Sequence, residues 1–328
     1  MTGMRLAFAW LIALGSLHSQ ASEVRFDSPV DCDFGRDCFI QNYVDHDPGP
    51  DWRDYACGRL SYDGHTGTDF RLKSRRQMEA GVAVVAAAAG TVAALRDGEP
   101  DIPLGERTTA LRKDREAGNS VRIDHGGGWE TQYSHLKRNS IQVRIGQHVE
   151  AGTMLGTIGL SGKTEFPHVD FSVRKERQPI DPFSPATGLE CGDTSLALWS
   201  TQALKQLSYR PSGVLNSGFA DRMLSRREIE SGESFAVALG DMAGAIVFHV
   251  EVFGIRKDDI EEILVTDPQG RTVATRSHKA ERDMAVRRVY LGKRRGTAAW
   301  PSGSYAAHYI LRRGEGVAAE ISGTVSIR

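Results

Sequence analysis

The chain has 328 residues, with 41 lysines and arginines against 42 aspartates and glutamates and a formal net charge of −1. That balance supplies no basic field for a phosphate backbone, so the sequence argues against a nucleic-acid partner. The length is more than one core usually fills and predicts two domains.

From the start, Arg5 precedes an apolar run, Leu6 to Leu17, interrupted by Gly15 and Ser16. Ser19-Gln20-Ala21 then offers small residues where a signal peptidase reads. The run is too short to span a bilayer, so residues 1–21 are predicted to be a signal peptide. No later apolar run reaches spanning length, and the mature protein is expected in the periplasm or outside the cell, without a transmembrane segment.

Four cysteines follow, Cys32, Cys38, Cys57 and Cys191. In an exported chain an even number reads as disulfides, and no C-x-x-C knuckle points to a four-cysteine zinc site. Three pairings exist. The spacing favours Cys32–Cys38 as a local clip and Cys57–Cys191 as a long staple. Residues 22–60 are therefore expected to be a disulfide-bearing N-terminal segment. Within it, Val44 to Trp52 holds three aspartates, but two prolines break the spacing of a calcium loop, and the stretch reads as a Pro-Gly turn.

Tyr62-Asp63-Gly64-His65-Thr66-Gly67-Thr68-Asp69-Phe70 brings together two metal-ligand types, His65 and Asp69. The glycines let the backbone turn, so that His65 sits at a loop exit and Asp69 on the strand that follows. Imidazole nitrogen and carboxylate oxygen suit a divalent ion such as zinc.

From Gly81 the pattern is β. Val82 to Ala86 and Gly90 to Leu95 are short apolar runs, and Glu99 to Gly118 is a charged surface insertion. Asn119 to Asp124, the turn His125-Gly126-Gly127-Gly128 and Trp129 to Leu136 predict a hairpin. Tyr133 and His135, two apart, are expected on one strand face, with Tyr133 supporting His135. More short strands with glycine turns follow between Val143 and Gly159. From His168 the sequence alternates, with Val169, Phe171 and Val173 on one face and His168, Asp170 and Ser172 on the other.

The order Gly-His-x-Gly-x-Asp, Tyr-x-His-Leu, Pro-His-x-Asp-Phe and Asp181-Pro182 resembles the LytM/lysostaphin-type zinc metallopeptidases of family M23, over roughly Tyr62 to Phe183. The resemblance implies an antiparallel β-sheet core with a long groove, and endopeptidase action on peptide cross-bridges of peptidoglycan. Carried over by motif, His65 and Asp69 resemble the first two zinc ligands, and His135 and His168 the catalytic histidines. One position departs: the family's last motif reads His-x-His, and Asp170 stands in place of its second histidine. A carboxylate is a competent ligand, but a second one lowers the net charge of the site and admits manganese or another hard divalent ion. Two readings stay open, a metal-dependent peptidoglycan endopeptidase and a non-catalytic murein-binding protein or activator of a cell-wall hydrolase. Either leaves room for a protein regulator of the groove.

The peptidase domain is expected over 61–192 and a linker over 193–230, with a short helix near Leu198 to Leu207. Ser225-Arg226-Arg227-Glu228 reads as a capping box. From 231 to 328 six runs, Ala245 to Val252 through Val317 to Ile327, alternate with turns such as Asp267-Pro268-Gln269-Gly270 and Trp300-Pro301-Ser302-Gly303. Close strand spacing without cysteine predicts an Ig-like β-sandwich, whose histidines form no ligand pattern. The expected class is all-β throughout.

Overall fold

The computed structural model describes residues 24–232 and 234–328, so the segment read as a signal peptide lies outside the described residues. Among the described residues no helix is long and apolar enough to cross a membrane.

The first unit is built on β1 (Cys38–Asn42), β2 (Thr68–Leu72), helix α1 (Arg75–Ala80), β3 (Ala83–Val85), β4 (Gly90–Arg96), β5 (Asn119–Gly126), β6 (Trp129–Leu136), β7 (His148–Val149), β8 (Met154–Thr157), β9 (His168–Lys175) and β10 (Gln178–Ile180). One antiparallel sheet runs β1-β2-β9-β6-β5-β4-β7, with β10 added to β9, and β3 pairs separately with β8. Alternation decides which face is which. Val169, Phe171 and Val173 of β9 are wholly buried, with Phe171 packed on Tyr133, Phe70 and Trp199. Each such side chain contributes about 1.5–3 kcal/mol by leaving water. The opposite face of β9 is thereby left for His168, Asp170 and Ser172. In the β5–β6 turn Gly126, Gly127 and Gly128 all have positive φ, between 56° and 81°, which side-chain-bearing residues resist.

The insertion at 99–118 folds into two single 3-10 turns. Its Leu104 N–H donates to Thr164 O, and its Ala117 O accepts from His135 N, so it stands as a wall beside β6 and β9. Helix α1 escapes sequence periodicity because it is only six residues long, capped by Ser74 and stopped at Gly81.

The stretch 193–230 is not a plain tether. Helix α2 (Thr201–Gln206) is capped by Ser200, β11 (Gly213–Ala220) pairs with the second unit, and α3 (Arg226–Ser231) opens with the capping box of Ser225 and Glu228. Leu198, Trp199, Leu207 and Leu215 meanwhile belong to the first core. The strand was hidden because Asn216, Ser217 and Gly218 break its apolar alternation.

The second unit adds β12 (Ala238–Leu239), β13 (Ala245–Ile255), β14 (Ile260–Thr266), β15 (Thr272–Lys279), β16 (Met284–Arg294), β17 (Gly303–Arg313) and β18 (Gly316–Ile327). A three-stranded sheet, β11-β13-β16, faces a five-stranded sheet, β12-β18-β17-β14-β15. Phe248, Val250, Tyr305 and Tyr309 fill the space between them, the arrangement of a β-sandwich.

Cys32 bonds Cys38, and Cys57 bonds Cys191 across 134 residues, both before β11 and so within the first unit. The two units meet through polar and aromatic side chains. The outer face of β13 buries Glu251 against Arg288 at 2.7 Å and Asn216 at 2.9 Å, and Asn216 also donates to Lys73 O of the first unit. Phe39 and Phe253 meet edge to face at 5.5 Å.

Candidate metal centre

Three strands place the candidate side chains. β2 and β9 pair antiparallel with Asp69 directly opposite Asp170, and β6 lies on the other side of β9 with Ser134 opposite Asp170. Opposed residues of neighbouring strands share a face, so the two carboxylates project together. His65 arrives from the loop before β2, where Gly64, at φ 72°, donates its N–H to Asp45 Oδ2. His65, Asp69 and Asp170 each offer one ligand atom, and the three atoms lie within 4.8 Å of one another.

Asp69 Oδ1 is 3.4 Å from both His65 Nε2 and His168 Nε2. His65 Nε2 and Asp69 Oδ1 are buried without a hydrogen-bond partner. Leaving such groups unsatisfied costs about 1–3 kcal/mol each, more for a charge. Burial alone would raise the Asp69 carboxyl, but His65, His168 and a 2.7 Å hydrogen bond from Asn42 Nδ2 hold it well below the usual range. Burial pushes Asp170 the other way, and the Asp69 charge adds to that rise. Burial would lower His65, yet Asp69 and then Asp170 outweigh it and raise it. Two carboxylates and an imidazole, converging with orphaned ligand atoms, are what a divalent cation would satisfy. The donor set fits zinc, with a hard ion also admitted by the second carboxylate.

The expected catalytic histidines stand side by side, ring centroids 4.6 Å apart. His135 Nδ1 donates to Ser161 O at 2.7 Å and His168 Nδ1 to Phe166 O at 2.9 Å, which leaves both Nε2 atoms for the groove. Burial, followed by the charge of His168, pushes His135 down to about 3, so it is a neutral imidazole.

Tyr133 does not support His135. It is fully buried on the core side of β6, where its hydroxyl accepts from Ala87 N at 2.7 Å. The expectation of a shared face fails because His135 is left-handed, at φ 65°, which breaks the strand alternation and turns His135 into the groove beside Ser134.

Three contributors were not legible beforehand. Asn42 orients Asp69, and it lies opposite Asp69 only because a bulge at Gln41 shifts the β1–β2 register. Gly67 leaves room for Asp170: a Cβ there would stand 1.8 Å from Asp170 Oδ1. Tyr62 stacks on the His65 ring at 4.3 Å. The glycine was visible in the motif, but its neighbour was not.

These residues floor an open groove of about 590 Å³, walled by Leu104, Glu116 and Ala117 of the insertion and by Thr164 to Phe166.

Residues 63–182 match the family described as Peptidase family M23. The chain is 35% identical over 71 residues to the cell division protein DipM of Caulobacter vibrioides, a match covering 20% of this chain and 11% of that protein. It is 33% identical over 93 residues to the peptidoglycan DD-endopeptidase ShyB of Vibrio cholerae, covering 28% and 21%. Identity to the DD-carboxypeptidase/endopeptidase Mpg of Neisseria meningitidis is 36% over 69 residues, covering 21% and 15%. The chain thus spans about a tenth to a fifth of the length of these curated relatives. Among solved structures, a zinc containing peptidase from Vibrio cholerae is 24% identical, covers 43% of this chain and 39% of that chain, and gives a TM-score of 0.28.

Proposed function

We propose that the peptidase family M23 domain over residues 63–182 is a metal-dependent endopeptidase acting on the peptide cross-bridges of peptidoglycan, outside the cytoplasm. The observation that carries the reading is the convergence of His65, Asp69 and Asp170 on the groove floor, with two buried ligand atoms left unpartnered. Those three residues would hold the ion, zinc or a harder divalent cation in view of Asp170. When bound, the ion supplies Lewis acidity toward the scissile carbonyl and lowers the pKa of water. Two disulfides support an oxidising compartment.

The chain's own groups do the rest. Neutral His135, its Nδ1–H committed to Ser161 O, presents Nε2 as a proton acceptor for attacking water. His168, its Nδ1–H oriented by Phe166 O and Thr164 Oγ1, stands beside it and, as the imidazolium carrying a second proton on Nε2, donates toward the developing oxyanion. The open groove admits a polymer rather than enclosing a small molecule.

The test is metal analysis of the purified protein together with a digest of sacculi and identification of the new peptide ends. One divalent ion per chain and cleavage at peptide bonds are expected. His135→Ala and His168→Ala should each lower turnover about 10²–10⁴-fold while keeping the ion. Metal-free protein that binds sacculi without cutting them would instead make this a murein-binding protein.

A further inference from the structure

A second cavity, of about 300 Å³, opens beside the groove and shares Asn42 and Tyr62 with it. One wall comes from the N-terminal segment, with Trp52 and Arg59. The other comes from the β-sandwich, with Arg256 and the start of β16, Asp283 to Ala285. Every lining residue falls outside 63–182, so this cavity is built by the parts of the chain that flank the peptidase domain.

Its chemistry is that of a peptide site. At about 300 Å³ it is at the small end of ligand clefts, enough for a short stretch of chain. Leu60, Ile255 and Met284 provide apolar surface. The charged groups differ in how far they are already committed. Arg59 is held by Asp51 at 2.8 Å and lies over the Trp52 ring at 4.5 Å. Asp283 accepts from Lys257 N at 2.8 Å. Arg256 forms no ion pair with any described residue; Asp259 fixes its backbone N–H and carbonyl, and its guanidinium lies near the Tyr209 hydroxyl, which donates to Asp54. A half-buried guanidinium with no side-chain hydrogen bond or ion pair among the described residues, in a cavity that borders the metal-centre groove at Asn42 and Tyr62, suits a carboxylate presented by a bound peptide.

We infer that this interdomain cavity is a substrate subsite that takes the peptide stem flanking the cleaved bond, with Arg256 holding the stem's free terminal carboxylate. The β-sandwich then forms part of the substrate site. The inference relies on the peptidase reading above for the identity of its ligand.

The test measures calorimetric binding of a stem tetrapeptide, with a free or an amidated C-terminus, to metal-free full-length protein, alongside digestion of sacculi by the metal-loaded form. Wild type should bind the free acid about tenfold tighter than the amide, the worth of one charge-assisted hydrogen bond at a half-exposed site. Arg256→Gln should erase that preference, Arg256→Lys should keep part of it, and Ala285→Trp, which fills the cavity mouth, should weaken both ligands. Equal binding of acid and amide by wild type, or an undiminished preference in Arg256→Gln, overturns the subsite. Digestion untouched by Arg256→Gln and Ala285→Trp sinks the subsite and leaves the peptidase reading standing. Stem binding as expected without any digestion sinks the peptidase reading and leaves the subsite.

Discussion

Replacing Asp170 by asparagine should make the metal-free protein more stable and the metal-loaded protein less so. Asp170 and Asp69 sit opposite each other on β9 and β2, with candidate ligand atoms within 4.8 Å. At an effective dielectric constant of about 20, two unit charges at that distance repel by about 3–4 kcal/mol. Asp170 keeps partial solvent contact, and its raised pKa lets it take up a proton instead, so the net penalty is reduced to about 1–2 kcal/mol. Asparagine keeps the shape and the oxygen that accepts from Ser172 Oγ while removing the charge. Without metal, Asp170→Asn should therefore unfold about 2–8 °C above wild type. With zinc at a hundred times the wild-type Kd, wild type gains about 2.7 kcal/mol by mass action, and the variant gains far less. The order of the two melting curves thus reverses between chelator and zinc, which differential scanning calorimetry reads directly without reference to turnover. A variant less stable than wild type in chelator, or one stabilised equally by zinc, would refute the reasoning.

Two further substitutions separate the groove face from the core face. Gly67→Ala places a methyl where Asp170 Oδ1 now stands and should weaken zinc binding about 10–100-fold with the fold intact, as a chelator competition would show; unchanged affinity would mean that Asp170 is not held by that contact. Tyr133→Phe strips Ala87 N of its acceptor and should cost about 1–3 kcal/mol in a urea titration while leaving turnover on sacculi near wild type. A large loss of turnover at unchanged stability would restore Tyr133 to the site.

Sequence by itself determined what is local. Alternation along Val169, Phe171 and Val173 set the inward face of β9 and so committed His168 and Asp170 to the other, because side chains of a strand point to opposite sides in turn. Glycines at 126 to 128 marked a hairpin, and Ser225 with Glu228 marked a helix start, since each is a short-range stereochemical requirement. Tertiary structure alone decided the rest. Asp69 meets Asp170 through a pairing of strands a hundred residues apart, and Asn42 reaches Asp69 through a bulge that no periodicity announces. Tyr133 was misplaced because one left-handed residue, His135, broke the alternation on which its face was read. The cavity at Arg256 exists only where two units dock, and the pattern of neither one carries any trace of the other's surface.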